Sequence, residues 1–286
     1  MSTPGAGTAC LINGAAADRI GFDSRGLAYG DGVFRTLLAV GGVLLHADDH
    51  LQRLVADAAA LQLDPPPAVA LLGDSAALLA QHVGPGRAVL KWTLVRQSGP
   101  RGYASTTRGV DRLVSIGVAP RYAAALWDDG AVAALSDFRL ARQPRLAGIK
   151  HLNRLEQVLA SRDWPAGVDE LLLRDSHGAL VGGSRSNLFW VRAGTLYTPS
   201  LQHCGIAGSM RMRILRLAEA TGLAVQCVDA ELKALLAADE AFFSNALIGI
   251  WPLRSLQDAT QVLHTWAAPG LLTRQLQAQL NHPRLD

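Results

Sequence analysis

The apolar positions of this chain change period several times along its length, and each change marks an element. Cys10–Gly14 reads as a short strand and turn, and the glycines at 26, 30 and 32 punctuate a tight loop before the apolar strand that runs to Leu38. Ala88–Arg96 is rich in branched and aromatic residues and predicts a strand, as does Arg112–Val118. His46–Leu54 opens a helix, with Asp48 and Asp49 where the helix dipole favours negative charge. Pro65-Pro-Pro67 separates it from an apolar helix over 68–83, closed by Gly84-Pro-Gly86. Leu152, Leu155 and Leu159 recur at helical spacing and predict a helix with one buried face, starting near Asn153. Glu170–Arg174, Ala179–Val181, Asn187–Val191 and Thr195–Tyr197, joined by turn residues, predict an antiparallel meander. Met210, Ile214 and Leu217 predict a helix ending near Gly222, Asp229 is placed to cap the next helix, and 265–281 reads as an amphipathic tail helix. Ala119–Gly130 is turn-like and weakly patterned. It is taken as the boundary between an N-terminal α/β domain, 1–120, and a C-terminal domain, 121–286, while residues 1–9, small and polar, are expected to fray.

Composition narrows the class. With 286 residues, 49% hydrophobic and 18% charged, the chain is globular and long enough for two domains. A net charge of +3 without a long basic run does not make nucleic acid the default partner and suits an anionic small substrate. Cys10, Cys204 and Cys227 are odd in number and widely spaced, which indicates neither a disulfide framework nor a zinc site. His46 and His50 are four apart, but no third ligand stands at a recognisable spacing, so no metal is expected. The N-terminus lacks a signal-peptide pattern and no apolar run reaches membrane-spanning length, so a cytoplasmic protein away from membranes is expected.

Three stretches carry candidate chemistry. Lys150 stands just before a helix, where the backbone is irregular. By pattern alone it reads as a solvated lysine, since lysines are mostly exposed. An amine at such a junction can also point into a cleft and lose water, and desolvation favours the neutral, nucleophilic form that makes Schiff bases. Gly30-Asp-Gly32 is a turn entering a buried strand, and is not a dinucleotide loop because no strand–GxGxxG–helix unit surrounds it. Cys204-Gly-Ile-Ala-Gly-Ser209 feeds a helix N-terminus, which is an anion site by physics and equally an ordinary helix entry.

Gly148-Ile-Lys-His-Leu-Asn-Arg-Leu-Glu-Gln-Val-Leu159 closely resembles the lysine segment of the aminodeoxychorismate lyases, which belong with the branched-chain and D-amino acid aminotransferases to the fold-type IV pyridoxal-phosphate (PLP) enzymes. Tyr29-Gly-Asp-Gly-Val-Phe34, His50-Leu-Gln-Arg-Leu54, Arg96-Gln-Ser-Gly-Pro-Arg-Gly-Tyr103 and Ser186-Asn-Leu-Phe189 resemble the same group, and the matches run from about Leu11 to Pro252. The resemblance implies an α/β (α+β) fold of two domains, the smaller N-terminal and the larger C-terminal one with a barrel-like sheet. It implies that Lys150 forms the Schiff base with PLP and that Thr36 assists proton transfer. It gives Arg53, Ile206, Ala207, Asn245 and Ala246 to the cofactor phosphate, and Arg96, Arg101 and Tyr103 to the substrate. The reaction implied is conversion of 4-amino-4-deoxychorismate to 4-aminobenzoate and pyruvate in folate biosynthesis, by a homodimer. The sequence departs from the pattern at Gly182, where the family has the glutamate that pairs with the pyridine nitrogen, and no carboxylate stands in Val181–Asn187. That departure keeps two alternatives open: a branched-chain or D-amino acid aminotransferase, and a PLP-binding homologue with weakened catalysis.

Overall fold

A computed structural model describes residues 9–81 and 86–286; the stretch 1–8 and the end of the 68–83 helix with its Gly-Pro closure lie outside the described residues. The chain divides into two compact units, Met1–Pro120 with Ile149–Asn153, and Arg121–Gly148 with Arg154–Asp286. Lys150 thus belongs to the first unit, whereas the sequence reading set it in the C-terminal domain.

The first unit is built from β1 (Ala9–Ile12), β2 (Ala15–Ala16), α1 (Arg25–Tyr29), β3 (Gly32–Val40), β4 (Val43–Leu44), α2 (Ala47–Ala60), α3 (Ala68–Gln81), β5 (Arg87–Arg96) and β6 (Val110–Val118). Its six-stranded sheet runs β2-β1-β6-β5-β3-β4, with every pairing antiparallel. Side chains alternate across a strand, so Val33, Arg35 and Leu37 share one face and Phe34 and Thr36 the other. On the first face Val33, Leu37, Leu90, Trp92 and Leu94 pack against Leu54 and Ala58 of α2 and Leu71 and Leu78 of α3. Trp92 is wholly buried there, and its indole N–H is satisfied by Ser75 Oγ at 2.8 Å.

β4 pairs only with the Ala39–Val40 end of β3, which leaves the Gly32–Phe34 edge for another partner. The lysine segment takes that edge. Val33 bridges His151, Phe34 N–H donates to the Lys150 carbonyl at 3.0 Å, and Leu152 N–H donates to the Gly32 carbonyl at 3.0 Å. These bonds satisfy main-chain groups that would otherwise be lost from water unpaired. They also correct the helix reading: Leu152 lies in a bend bonded to β3, the helix starts only at Leu155, and Leu155 is 68% exposed. The three leucines therefore do not share one buried helix face.

The second unit comprises α4 (Ala125–Asp128), β7 (Ala131–Leu140), α5 (Leu155–Ala160), β8 (Glu170–Asp175), β9 (Leu180–Gly183), β10 (Asn187–Arg192), β11 (Thr195–Pro199), α6 (Ser209–Ala220), β12 (Val225–Val228), α7 (Leu232–Leu236), β13 (Glu240–Asn245), β14 (Gly249–Gln257), β15 (Val262–Thr265) and α8 (Leu271–Leu280). Its nine-stranded sheet runs β12-β11-β10-β13-β14-β7-β8-β9, with β15 on β14. The expected meander is only partly present. β8–β9 and β10–β11 are antiparallel hairpin pairs, but β9 ends the sheet at one side and β10 pairs onward with β13. β7 lies parallel to both β8 and β14. Phe189, Val191 and Phe242 carry one sheet face onto Met210 and Ile214 of α6 and Leu276 of α8, while Leu172, Leu188, Trp190 and Phe243 form a core on the other. Asp229 does not cap α7, whose N-cap is Glu231; its carboxylate instead accepts from Ser200 Oγ and faces His203 Nε2 at 3.2 Å.

Candidate active site

On the first unit, the lysine segment brings Lys150 onto the sheet face opposite the helices. Its Nζ lies 4.5 Å from the centre of the Phe34 ring, and Lys91 Nζ lies 4.7 Å from the same ring. Thr36 shares that face, directly across from Lys91 in the β3–β5 register. Burial holds the Lys91 ammonium below the usual lysine value. One aromatic ring is therefore contacted by two amines, with a hydroxyl two residues along the strand.

Beneath this face a buried charge cluster anchors the segment. Asp57, one helical turn after Arg53 in α2, is 2% exposed. Its Oδ2 accepts the Lys150 main-chain N–H at 2.9 Å and pairs with Arg35, while its Oδ1 accepts from Arg53 Nη2 at 3.2 Å. Arg35 is equally buried and also donates to the Arg53 carbonyl at 3.3 Å. Desolvation pushes the Arg35 guanidinium down to about 10, with Asp57 opposing the shift and Arg53 adding to it. The Arg53 side chain remains 23% exposed.

A second acidic hub explains the Gly30-Asp-Gly32 wording. Asp31 Oδ2 accepts from Arg25 Nε and Arg96 Nε, each at 2.9 Å. Arg25 also donates to the Gly102 and Tyr103 carbonyls, and Arg96 to those of Leu61, Gln62 and Thr107. The flanking glycines make room for the lysine segment. A Cβ on Gly30, whose φ is +62°, would stand 2.4 Å from Asn153 Oδ1; one on Gly32 would stand 2.3 Å from the Leu94 carbonyl and 2.8 Å from a Leu152 methyl. The Arg96 guanidinium, expected at the substrate, is engaged here with these internal acceptors. Arg101 is exposed on the loop that follows, and Tyr103, 89% exposed, tilts against Tyr29 at 5.5 Å.

On the second unit, the glycine-rich turn enters α6 as expected. Gly148, two residues before Lys150, bridges Ile206, and the Ala207 N–H donates to the Gly148 carbonyl at 3.0 Å. Ala207 therefore spends its amide internally. Asn187 fixes the turn from beside it, donating to the Ile206 carbonyl at 2.7 Å and accepting from Gly208 N–H at 3.2 Å. α6 starts after Gly208, which has no side chain to cap its first turn. Asn245 closes the turn after β13 by accepting from Leu247 and Ile248 N–H, with Ala246 inside that turn. Ser244 Oγ beside it is buried without a hydrogen-bond partner.

Sequence reading missed Asp57 and Glu170. Glu170 is wholly buried, and its carboxylate accepts from Ser184 N–H and Oγ at 3.1 and 2.6 Å and from Ser186 Oγ at 2.8 Å. The available signal was a lone acid heading the apolar run Glu170-Leu-Leu-Leu173. It does not stand in for the residue missing at 182. Register pairs Leu172 with Gly183 and Leu173 with Gly182, so Glu170 lies on the Gly183 side of the sheet. A Cβ on Gly182 would lie 2.8 Å from the Ser186 carbonyl oxygen. Gly182→Glu is accordingly expected to lower stability by roughly 1–3 kcal/mol without improving cofactor retention. Thermal unfolding and a PLP titration check this; tighter retention at unchanged melting temperature would refute it.

Among the described residues no group of three His, Cys, Asp or Glu side chains is placed to hold a metal, and no helix is long and apolar enough to cross a membrane. The three cysteines are free.

Residues 32–256 match the family model for amino-transferase class IV. The chain is 33% identical over 275 residues to an aminodeoxychorismate lyase of Vibrio harveyi, covering 94% of this chain and 98% of that one. It is 26% identical to a D-alanine aminotransferase of Bacillus licheniformis, over 96% of this chain and 97% of the relative. The crystal structure of 4-amino-4-deoxychorismate lyase from Pseudomonas aeruginosa superposes with a TM-score of 0.85 at 39% identity, covering 95% and 98% of the two chains. A branched-chain aminotransferase from Thermoproteus uzoniensis, at 24% identity and a TM-score of 0.79 over 96% and 94%, shares the fold. With its curled sheet, its second sheet and a family match across most of its length, the chain belongs to the amino-transferase class IV family.

Proposed function

We propose that the protein is a PLP-dependent lyase that converts 4-amino-4-deoxychorismate to 4-aminobenzoate and pyruvate. The observation that carries this reading is the Lys150 amine against Phe34, on the sheet face that also bears Thr36, in a chain 33% identical to a lyase over nearly its full length. The residues fit PLP. Lys150 supplies a primary amine beside an apolar ring, and Arg53 a partly open guanidinium suited to a phosphate dianion. Within the second unit taken by itself, the α6 entry at Ile206 and Ala207 and the Asn245–Ala246 turn are the stretches that the family wording assigns to the phosphate.

When bound, PLP supplies the electron sink that lets a proton leave the carbon bearing nitrogen. Lys150 Nζ accepts that proton, and Phe34 keeps water off the amine. The Thr36 hydroxyl is the donor for the departing enolpyruvyl group. Lys91, across from Thr36, gives the face a positive charge suited to an anionic substrate. Arg101 and Tyr103 stand on the loop that would meet substrate carboxylates, whereas Arg96 holds that loop's base. Elimination here ends in an aromatic product, so a ring nitrogen without a carboxylate partner suffices; an aminotransferase lacks that driving force and is disfavoured by Gly182. We take the protein as a homodimer, supported by Leu155 and Val158 at 68% and 59% exposure on α5, and as cytoplasmic, supported by the three free thiols.

The test is formation of 4-aminobenzoate and pyruvate from 4-amino-4-deoxychorismate by the purified protein with PLP. Stoichiometric release of both is expected. Amino-group transfer from alanine or leucine to 2-oxoglutarate without either product would assign the chain to the aminotransferases instead.

A further inference from the structure

The carboxylate of Asp57 touches two of the residues that the proposed function uses on the first unit, Lys150 and Arg53. Lys150 stands where its segment leaves β3. Its carbonyl faces the strand, accepting from Phe34 N–H, and its own N–H is taken by Asp57 Oδ2 at 2.9 Å. Arg53 precedes Asp57 by one turn of the same helix, and its Nη2 reaches Oδ1 at 3.2 Å. A lone aspartate beside Arg53 would cancel the positive charge that a phosphate requires. Arg35, from the neighbouring strand, pairs with the same carboxylate, so the cluster of two guanidinium groups and one carboxylate keeps a net positive charge. Arg35 is buried to 2%, while Arg53 is the partner left partly open.

We propose that Asp57 is a positioning residue that sets the backbone of the Schiff-base lysine and the guanidinium of the phosphate arginine from one carboxylate, with Arg35 as its charge compensator. The inference rests on the roles proposed above for Lys150 and Arg53. It makes two consequences separable. Loss of the acceptor for the Lys150 N–H shifts the lysine itself. Loss of the negative charge releases Arg53.

The experiment compares the wild type, Arg35→Met, and two double variants, Arg35→Met with Asp57→Asn and Arg35→Met with Asp57→Leu. Removing both charges together avoids leaving Arg35 buried and unpaired. The asparagine keeps an acceptor for the Lys150 N–H, and the leucine does not. PLP dissociation constants, thermal unfolding and the pH midpoint of the visible band of bound PLP are measured on each full-length protein. The leucine variant is expected to bind PLP about tenfold more weakly than the asparagine variant, the scale of one lost buried hydrogen bond, and to move the pH midpoint. Equal affinity and an equal midpoint in the two double variants would overturn the proposal. If the leucine variant does not fold, the asparagine double variant is compared with Arg35→Met: Arg35→Met leaves Asp57 uncompensated beside Arg53 and is expected to bind PLP severalfold more weakly than the double variant, and equal binding overturns the proposal. Borohydride reduction of the PLP-loaded wild type separates the two levels. Labelling at Lys150 upholds the function reading on which the inference rests, and labelling elsewhere removes both.

Discussion

Lys150→Ala is expected to fold and to lose about 10²–10⁴-fold in the rate of 4-aminobenzoate formation, the range for removing a positioned proton-transfer group. The fold should survive because the bonds that dock the segment on β3 are main-chain bonds. Lys150 N–H meets Asp57, its carbonyl meets Phe34 N–H, and alanine keeps both. What disappears is the amine 4.5 Å from the Phe34 ring. The experiment has a built-in competitor, since Lys91 approaches the same ring at 4.7 Å and has its ammonium pushed down by burial. Product formation is measured on PLP-loaded wild type and variant, with borohydride reduction and peptide mapping on both. A variant that keeps wild-type turnover, or a label that falls on Lys91, would remove Lys150 from the role given to it. Little change in melting temperature is expected.

Parts of this site are legible in the sequence because they are local. Lys150 sits within a twelve-residue wording, Arg53 follows His50 at fixed spacing, and Gly205 and Gly208 announce the entry to α6. The strands around Trp92 and Val114 are equally local, since an alternating or branched apolar run carries its own period. Pairing partners are not local. Nothing in Asn187–Arg192 says that its neighbour is β13 rather than β9, and the parallel β7–β8 pair breaks the meander that turn residues alone suggest. The lysine segment reads as a helix start because its leucines keep helical spacing, yet the open edge of β3 takes up its main-chain groups as far as Leu152. Asp57 and Glu170 escaped for another reason. An acid on a helix or at a strand end normally reads as a solvated face. Only the fold reveals that two arginines and a backbone amide surround the first, and that two serines surround the second. Arg96 is the converse case: wording assigned it to the substrate, and the tertiary bonds to Asp31, Leu61, Gln62 and Thr107 claim it for the framework.

Asp31→Ala is expected to produce a large structural effect in the first unit. Its Oδ2 is shared by Arg25 and Arg96, whose side chains are 6% and 11% exposed, so the substitution strands two largely buried cations. Removing one partner of a buried ion pair typically costs about 3–5 kcal/mol, and the 18% exposure of Asp31 favours the lower end. The loss would not stay local. Arg25 holds the Gly102 and Tyr103 carbonyls, and Arg96 holds that of Thr107, so both ends of the Arg101–Arg108 loop are tied through this carboxylate. Thermal unfolding should show a fall of several degrees, and trypsin should cut at Arg101 and Arg108 faster than in the wild type. Asp31→Asn keeps the shape and one acceptor but not the charge, so it should fall between the two. Should Asp31→Ala match the wild type in melting temperature and in cleavage at both arginines, the hub would be ornamental, and Arg96 would return to consideration as a substrate contact. If instead the loop loosens while PLP still binds and turnover falls through a raised KM, the hub's place in function is to hold the substrate-facing loop in register, apart from the chemistry at Lys150.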